Sequence, residues 1–145
     1  MKALLQRVKR ASVTIDEKLY SSINHGLLIF VGVEKGDTSE QVNKLTDKIS
    51  KLRIFEDENG KMNRSILDVG GEILVVSQFT LCGDCKKGTR PSFDKSAAPD
   101  IANMLYEEFV EKIRGYNIET GTGKFGAMMD VELINDGPVT FMLES

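Results

Sequence analysis

The chain has a single histidine, His25, in the polar stretch SINHGLL. A histidine in a turn of that kind reads as a solvated side chain rather than a general base. There is no GxSxG elbow and no serine, histidine and aspartate grouping, so nucleophilic hydrolysis of the triad type is not indicated. Cysteine is scarce too: Cys82 and Cys85 form CGDC. A structural zinc site takes four ligands, which these thiols and His25 do not supply. A redox pair of the thioredoxin kind opens a helix, whereas this one follows a strand and enters a loop rich in Lys, Gly and Pro. Two reduced loop thiols are expected, with no metal and no cofactor. There is no P-loop. Gly121-Thr122-Gly123-Lys124 lacks its spacing and the helix that should follow, and reads as a turn. Long apolar runs are missing as well. Gly26–Val33 (GLLIFVGV) is too short to cross a bilayer. The opening MKALLQRVKR is broken by charge after two leucines, unlike a signal peptide. A cytosolic protein with no membrane partner is expected. Excess positive charge is absent, with a formal net charge of −3. No bulk field draws nucleic acid, so DNA is not an expected partner. Any RNA contact must be local. Two basic clusters qualify: Arg7, Lys9 and Arg10, or Lys86, Lys87 and Arg90.

What is present suits one domain over residues 1–145, with 41% hydrophobic and 28% charged residues. Lys2–Ile15 reads as extended structure, with Ala11, Val13 and Ile15 alternating against polar neighbours. Its first half alternates less cleanly, which predicts a bulge between the halves. Leu19–Ile23 is a return strand and Leu27–Val33 a buried one. Thr38–Arg53 is a helix. Thr38 and Gln41 form a capping box, and Val42, Leu45, Ile49 and Leu52 share one face. Asn59-Gly60 is a turn. A second helix starts at Pro99, carries Ile101, Leu105, Phe109 and Ile113 on one stripe, and stops at Gly115. A strand through Val131 and Leu133 breaks at Asn135–Pro138, and Val139–Leu143 is a last short strand. The fold class is α+β: mostly antiparallel sheets curved into a barrel-like core, with two main helices packed outside.

The stretch Glu72–Leu81, EILVVSQFTL, starts as the most apolar of these strands and runs without a turn signal into Ser77, Gln78 and Thr80. An apolar run ending in polar side chains either faces water or forms the lip of a pocket. In an ideal strand Gln78 and Thr80 face one side, Ser77 and Phe79 the other. All four share one site only if the strand bends or ends there. Thr140 adds a hydroxyl further on. Gly137-Pro138 supplies either a simple turn or a rigid backbone corner.

SQFTL at Ser77–Leu81, together with NDGPVT at Asn135–Thr140, closely resembles the D-aminoacyl-tRNA deacylase family. LLQRVKRASV (Leu4–Val13), KGTRPSF (Lys87–Phe93) and FGAMMDVELINDGPVT (Phe125–Thr140) extend the resemblance along the whole chain in the same order. Either motif alone is weak; both at this spacing are specific.

The resemblance implies hydrolysis of the ester that joins a D-amino acid, or glycine, to the terminal adenosine of tRNA. Glycine mischarged on alanine tRNA is included. It implies a homodimer with active sites at the subunit interface. Each site would combine Ser77, Gln78, Phe79 and Thr80 of one subunit with Gly137, Pro138, Val139 and Thr140 of the other. The Gly137–Pro138 bond would be cis, its carbonyls filling the space of an L side chain. Arg7 corresponds to a family arginine beside that corner. Phe79 and Met129 are candidates to line the adenine site, and Lys86, Lys87 and Arg90 to meet acceptor-stem phosphates. Some relatives replace the phenylalanine of SQFTL and relax chirality; Phe79 implies the strict type. Two mechanisms stay open: attack by Thr80, or water assisted by the ribose 2′-hydroxyl with backbone N–H groups and Gln78 holding the oxyanion. The alternatives are a tRNA-binding module, like the related editing domains of archaeal threonyl-tRNA synthetases, and a small thiol protein using Cys82 and Cys85.

Overall fold

The computed structural model describes every residue from Met1 to Ser145. Its central strand is β1 (Lys2–Ile15), which is 14 residues long and pairs with three others. β2 (Lys18–Ile23) returns along its second half, with Ala11 opposite Ile23. β3 (Gly26–Gly32) returns along its first half, with Leu5 opposite Ile29. Then follow α1 (Ser39–Lys51), a small hairpin of β4 (Phe55–Glu56) and β5 (Met62–Arg64), and β6 (Glu72–Ser77). α2 (Pro99–Arg114), β7 (Thr120–Thr122) and β8 (Asp130–Glu144) complete the chain.

The strands β2-β1-β3-β6-β7 run side by side, and β8 takes the other edge of β1. β1 pairs antiparallel with each of its neighbours, whereas β3–β6 and β6–β7 are parallel. The sheet is therefore mixed and nearly closed into a barrel-like shape, and the α+β reading holds. The bulge expected in β1 falls at Lys9: Val8 faces Asn135 and Arg10 faces Ile134, so Lys9 is the extra residue. It changes which face the strand buries. Ala3 and Leu5 join the main core with both helices, while Val8, Ala11 and Val13 join a smaller cluster with Leu74 and Val76.

α1 starts as its sequence requires. Thr38 Oγ1 accepts from Glu40 N at 3.3 Å, and Gln41 Oε1 accepts from Thr38 N at 2.8 Å. Val42, Leu45 and Ile49 are buried. α2 starts at Pro99 and ends before Gly115, with Leu105, Phe109 and Ile113 buried. Ile101 is not part of that face: it is exposed, and Tyr106 and Val110 widen the buried stripe instead.

One boundary differs from the expectation drawn from sequence. β8 does not break at Asn135–Pro138 but runs unbroken from Asp130 to Glu144. β1 carries the pairing past the interruption. A single β1 residue, Arg7, lies opposite the four β8 residues from Asp136 to Val139, because Gln6 pairs with Thr140 and Val8 with Asn135. The extra residues bulge out and the ladder resumes.

Candidate active site

β6 buries Ile73, Leu74, Val75 and Val76 in succession, the pattern of a strand with both faces covered. The sequence leaves open whether the strand bends or ends at its polar residues; the structure ends it at Ser77. Gln78 N still donates to Val31 O at 2.8 Å, and then the chain tightens into a 3₁₀ turn over Phe79–Cys82. Leu81 N donates to Gln78 O at 3.2 Å and Gly83 N to Thr80 O at 3.0 Å. Gly32 makes room for this turn. A Cβ there would sit 3.0 Å from Cys82 Sγ, 3.0 Å from Leu81 Cβ and 3.1 Å from Gln78 O. Strand alternation therefore no longer applies beyond Ser77, and Gln78 and Thr80 come together: Gln78 Nε2 donates to Thr80 Oγ1. That amide is the hydrogen-bond partner of the Thr80 hydroxyl; no histidine, lysine or carboxylate bonds to it. Phe79 and Thr80 open the 3₁₀ turn, so the turn itself offers their N–H groups no acceptor.

Around the turn, Phe79 is 57% exposed and its ring lies 4.9 Å from that of Phe93, tilted by 59°. Ser96 Oγ reaches Phe79 O at 3.5 Å. Lys86, Lys87 and Arg90 are exposed on the loop that follows. Cys82 is not a loop thiol. It closes the turn in the interior at 1% exposure, and desolvation raises its pKa. Cys85 is exposed, and both thiols are free. His25 is exposed, with its ring edge-on to Phe55 at 5.3 Å. Met129 packs beside Val76 in the smaller cluster, and its Sδ accepts from Lys124 N at 3.3 Å.

The second motif is the β8 bulge. Its Gly137–Pro138 bond is cis, and Gly137 has φ +117°. A Cβ on Gly137 would meet Val139 Cγ2 at 2.8 Å and Arg7 Nη2 at 3.1 Å. Arg7, only 4% exposed, fills the inner side of the bulge. Its Nη1 donates to Ile54 O at 2.8 Å, and Nη2 lies 3.5 Å from Glu56 Oε1. Its Nε is 3.1 Å from Asp136 Oδ2, an ion pair without hydrogen-bond alignment. Asn135 closes the base of the bulge. In the amide orientation that satisfies its neighbours, it donates to Arg7 O at 3.0 Å and Val139 O at 3.1 Å. It then accepts from Thr140 Oγ1 at 2.9 Å and Gln6 Nε2 at 3.2 Å. Gly137, Pro138 and Thr140 stay exposed, while Val139 anchors in the core. Asn135, Asp136 and Glu56 had no assigned role in the sequence reading. The polar pair directly before Gly-Pro is the local signal for Asn135 and Asp136; Glu56 has none.

The two motifs do not meet within one chain. Arg7, against the corner, pairs with Leu27, and Leu27 with Ile73, so the corner sits at the Ile73 row. Gln78 is five positions further along β6, about 16 Å at strand rise. Three strand spacings, about 14 Å on a flat sheet, also separate β8 from β6. A cleft of about 400 Å³ beside α2, lined by Tyr106, Glu107, Arg114, Lys124 and Phe125, includes no residue of either motif.

Residues 4–144 match the family model described as D-Tyr-tRNA(Tyr) deacylase. The chain belongs to the D-aminoacyl-tRNA deacylase family. The D-aminoacyl-tRNA deacylase of Thermosipho africanus is 57% identical over 145 residues, covering 100% of this chain and 97% of that protein. The one from Exiguobacterium sp. is 59% identical over 144 residues, covering 99% and 98%. Among solved structures, the c-Myc DNA Unwinding Element Binding Protein superposes with a TM-score of 0.94 at 42% identity, covering 100% of this chain and 99% of that one. The resemblance read from SQFTL and NDGPVT is thus borne out over the full chain. No helix is long and apolar enough to cross a membrane.

Proposed function

We propose that this deacylase hydrolyses the ester of D-aminoacyl-tRNA, and of glycyl-tRNA mischarged on alanine tRNA, at two sites formed between two copies of the chain. The observation that carries the paired arrangement is the separation of the motifs. A corner set about 16 Å along the strands from Gln78 cannot serve its own turn. It is exposed on a strand whose outer edge is unpaired, so it is free to serve a second copy. A symmetric dimer then places each corner against the other chain's turn, twice over.

In that site the terminal adenosine lies against Phe79 and Met129, as single-stranded RNA ends do on apolar faces. The ester carbonyl points at the N–H groups of Phe79 and Thr80, which hold the developing oxyanion with the Gln78 amide. The ribose 2′-hydroxyl assists the attacking water. Thr80 is not the nucleophile in this reading, because its hydroxyl receives the Gln78 amide and has no base to take its proton. Thr80→Ala therefore keeps most of the activity. Near-total loss in a folded variant, with a trapped acyl-enzyme, would reverse that assignment. The partner's Gly137 and Pro138, backed by Val139, occupy the space of an L side chain, so selection is by exclusion. Glycine has no side chain to exclude. Lys86, Lys87 and Arg90 meet acceptor-stem phosphates, a contact that weakens with salt.

The test is incubation with D-tyrosyl-tRNA and L-tyrosyl-tRNA at catalytic amounts of protein. The D-amino acid alone should be released. Release of both esters removes the chiral part, and protection of both makes the protein a tRNA-binding module.

A further inference from the structure

We infer that Phe93 is a further substrate-contacting residue. It stacks the base of the nucleotide next to the terminal adenosine, on the path from that adenosine to the phosphates met by the loop that Asp84 and Ser92 close. The inference rests on the deacylase reading and adds a contact to it.

Phe79 and Phe93 stand 57% and 38% exposed, in contact with each other on the surface. At 59° between ring planes they cannot both lie flat on one base. Two tilted rings make a step that serves two successive bases. Phe93 is held in place from below: a Cβ on Gly83 would come within 3.1 Å of its Cε1, so the ring rides on the backbone of the active-site turn.

The chain between the rings forms a built loop. Asp84 N donates to Ser92 O at 2.7 Å and Ser92 N to Asp84 O at 3.0 Å. This pair closes the seven residues Cys85–Pro91, which include Lys86, Lys87 and Arg90 and no acid. None of those three cations has a carboxylate within ion-pair distance, and Asp84 at the base of the loop pairs with Lys95 at 3.7 Å. The Asp84 side chain accepts from Lys86 N at 2.9 Å, and that bond holds its carboxyl below the usual range. Asp84 is thus a positioning residue that shapes the loop from its base. Unpaired cations beside exposed rings are the elements with which single-stranded nucleic acid is bound. The geometry also fixes which nucleotide is meant. With the ester at Phe79 and Thr80, the RNA chain leaves from the 5′ oxygen of the terminal ribose, and the next base is the one within reach of the second ring.

The test compares Phe93→Ala with the unaltered protein on two substrates, D-tyrosyl-tRNA and the D-tyrosyl ester of adenosine alone, which has no neighbouring nucleotide. The expected loss in kcat/KM on the tRNA is about ten- to hundredfold, mostly in KM. On the adenosine ester it is at least tenfold smaller. Phe93→Tyr restores the tRNA reaction. Phe93→Leu, which keeps apolar bulk without a π-face, shows the same unequal loss and serves if the alanine variant folds poorly. Equal losses on both substrates would make Phe93 a mere support for Phe79 and overturn the inference, as would no loss on either. A loss that follows dissociation of the dimer in sedimentation would assign the rings to contact between copies, and also overturn it. Unaltered protein inert toward both esters would instead remove the deacylase reading itself, and this inference with it.

Discussion

Arg7 and Asp136 meet where β1 and β8 lose register, with Arg7 Nε 3.1 Å from Asp136 Oδ2 directly beside Gly137. One guanidinium thus ties the exposed corner to the interior through Ile54 O and to the hairpin through Glu56. Arg7→Ala leaves a buried carbonyl without its donor and two carboxylates without their cation. The expected cost is about 2–3 kcal/mol, at or just below the range for a broken buried pair because both carboxylates keep contact with water. Arg7→Lys restores charge but not the planar fork, and recovers only part of it. Urea unfolding with hydrolysis assayed alongside checks both. Stability equal to that of the unaltered protein would contradict the tie.

Gly137 sits where a side chain is strained. Alanine at φ +117° is strained by about 1–3 kcal/mol, and its methyl would press on Val139 and Arg7. Gly137→Ala is expected to lose D-aminoacyl-tRNA hydrolysis by a larger factor than the stability change explains. Thermal melts and initial rates on the same sample separate the two effects. Unchanged rates would show that the corner plays no part in the site.

Asn135 draws attention to how a break in sequence pattern became a continuous strand. Gly-Pro is a sound local signal for ending a strand, and by that signal β8 stops. What overrides it is β1, whose backbone continues, and the Asn135 amide, which bonds to β1 and across to the far side of the bulge. Neither can be read from NDGPVT in isolation. The same holds at Ser77. EILVVS reads as a buried strand and is one, but the turn after it depends on Gly32, forty-five positions earlier in the chain. Helix ends fared better because their causes are local: the Thr38 and Gln41 box and Pro99 act within one turn. Cys82 was misplaced for the opposite reason. Its neighbours are loop-like in composition, yet the turn folds it inward against Val33 O at 3.5 Å.

The thiols should therefore differ in reactivity. Burial raises the Cys82 pKa and shields its sulfur, while Cys85 is exposed. A thiol reagent at pH 8 should modify one cysteine per native chain promptly and both after denaturation. Cys85→Ala should keep full hydrolytic activity. Two fast thiols in the native protein would contradict the buried turn.

Tyr106 contributes to stability at alkaline pH. Its hydroxyl donates to Val75 O at 2.9 Å beneath the end of β6, and desolvation raises its pKa well above the ordinary tyrosine value of 10.0. The folded state therefore holds the proton more tightly than the unfolded state. Its contribution to stability is complete below pH 10 and is lost as pH rises from there toward the folded pKa. Tyr106→Phe should cost about 1 kcal/mol at neutral pH, from the lost hydrogen bond. It should also flatten the decline in stability above pH 10, measured by urea unfolding across that range. An unchanged alkaline slope would place the hydroxyl in contact with water.

Subunit mixing measures directly whether each site needs two chains. Phe79→Pro removes one N–H of the turn at its first position, where proline suits the backbone. Gly137→Ala spoils the corner. Each variant alone is expected to be inactive on D-tyrosyl-tRNA. Mixed and allowed to exchange, half of the dimers carry one variant of each kind, and in those one site has both an intact turn and an intact corner. Activity should return to roughly a quarter of that of the unaltered protein, by symmetry of the two sites. A mixture that forms mixed dimers yet stays as inactive as its parts would contradict the claim.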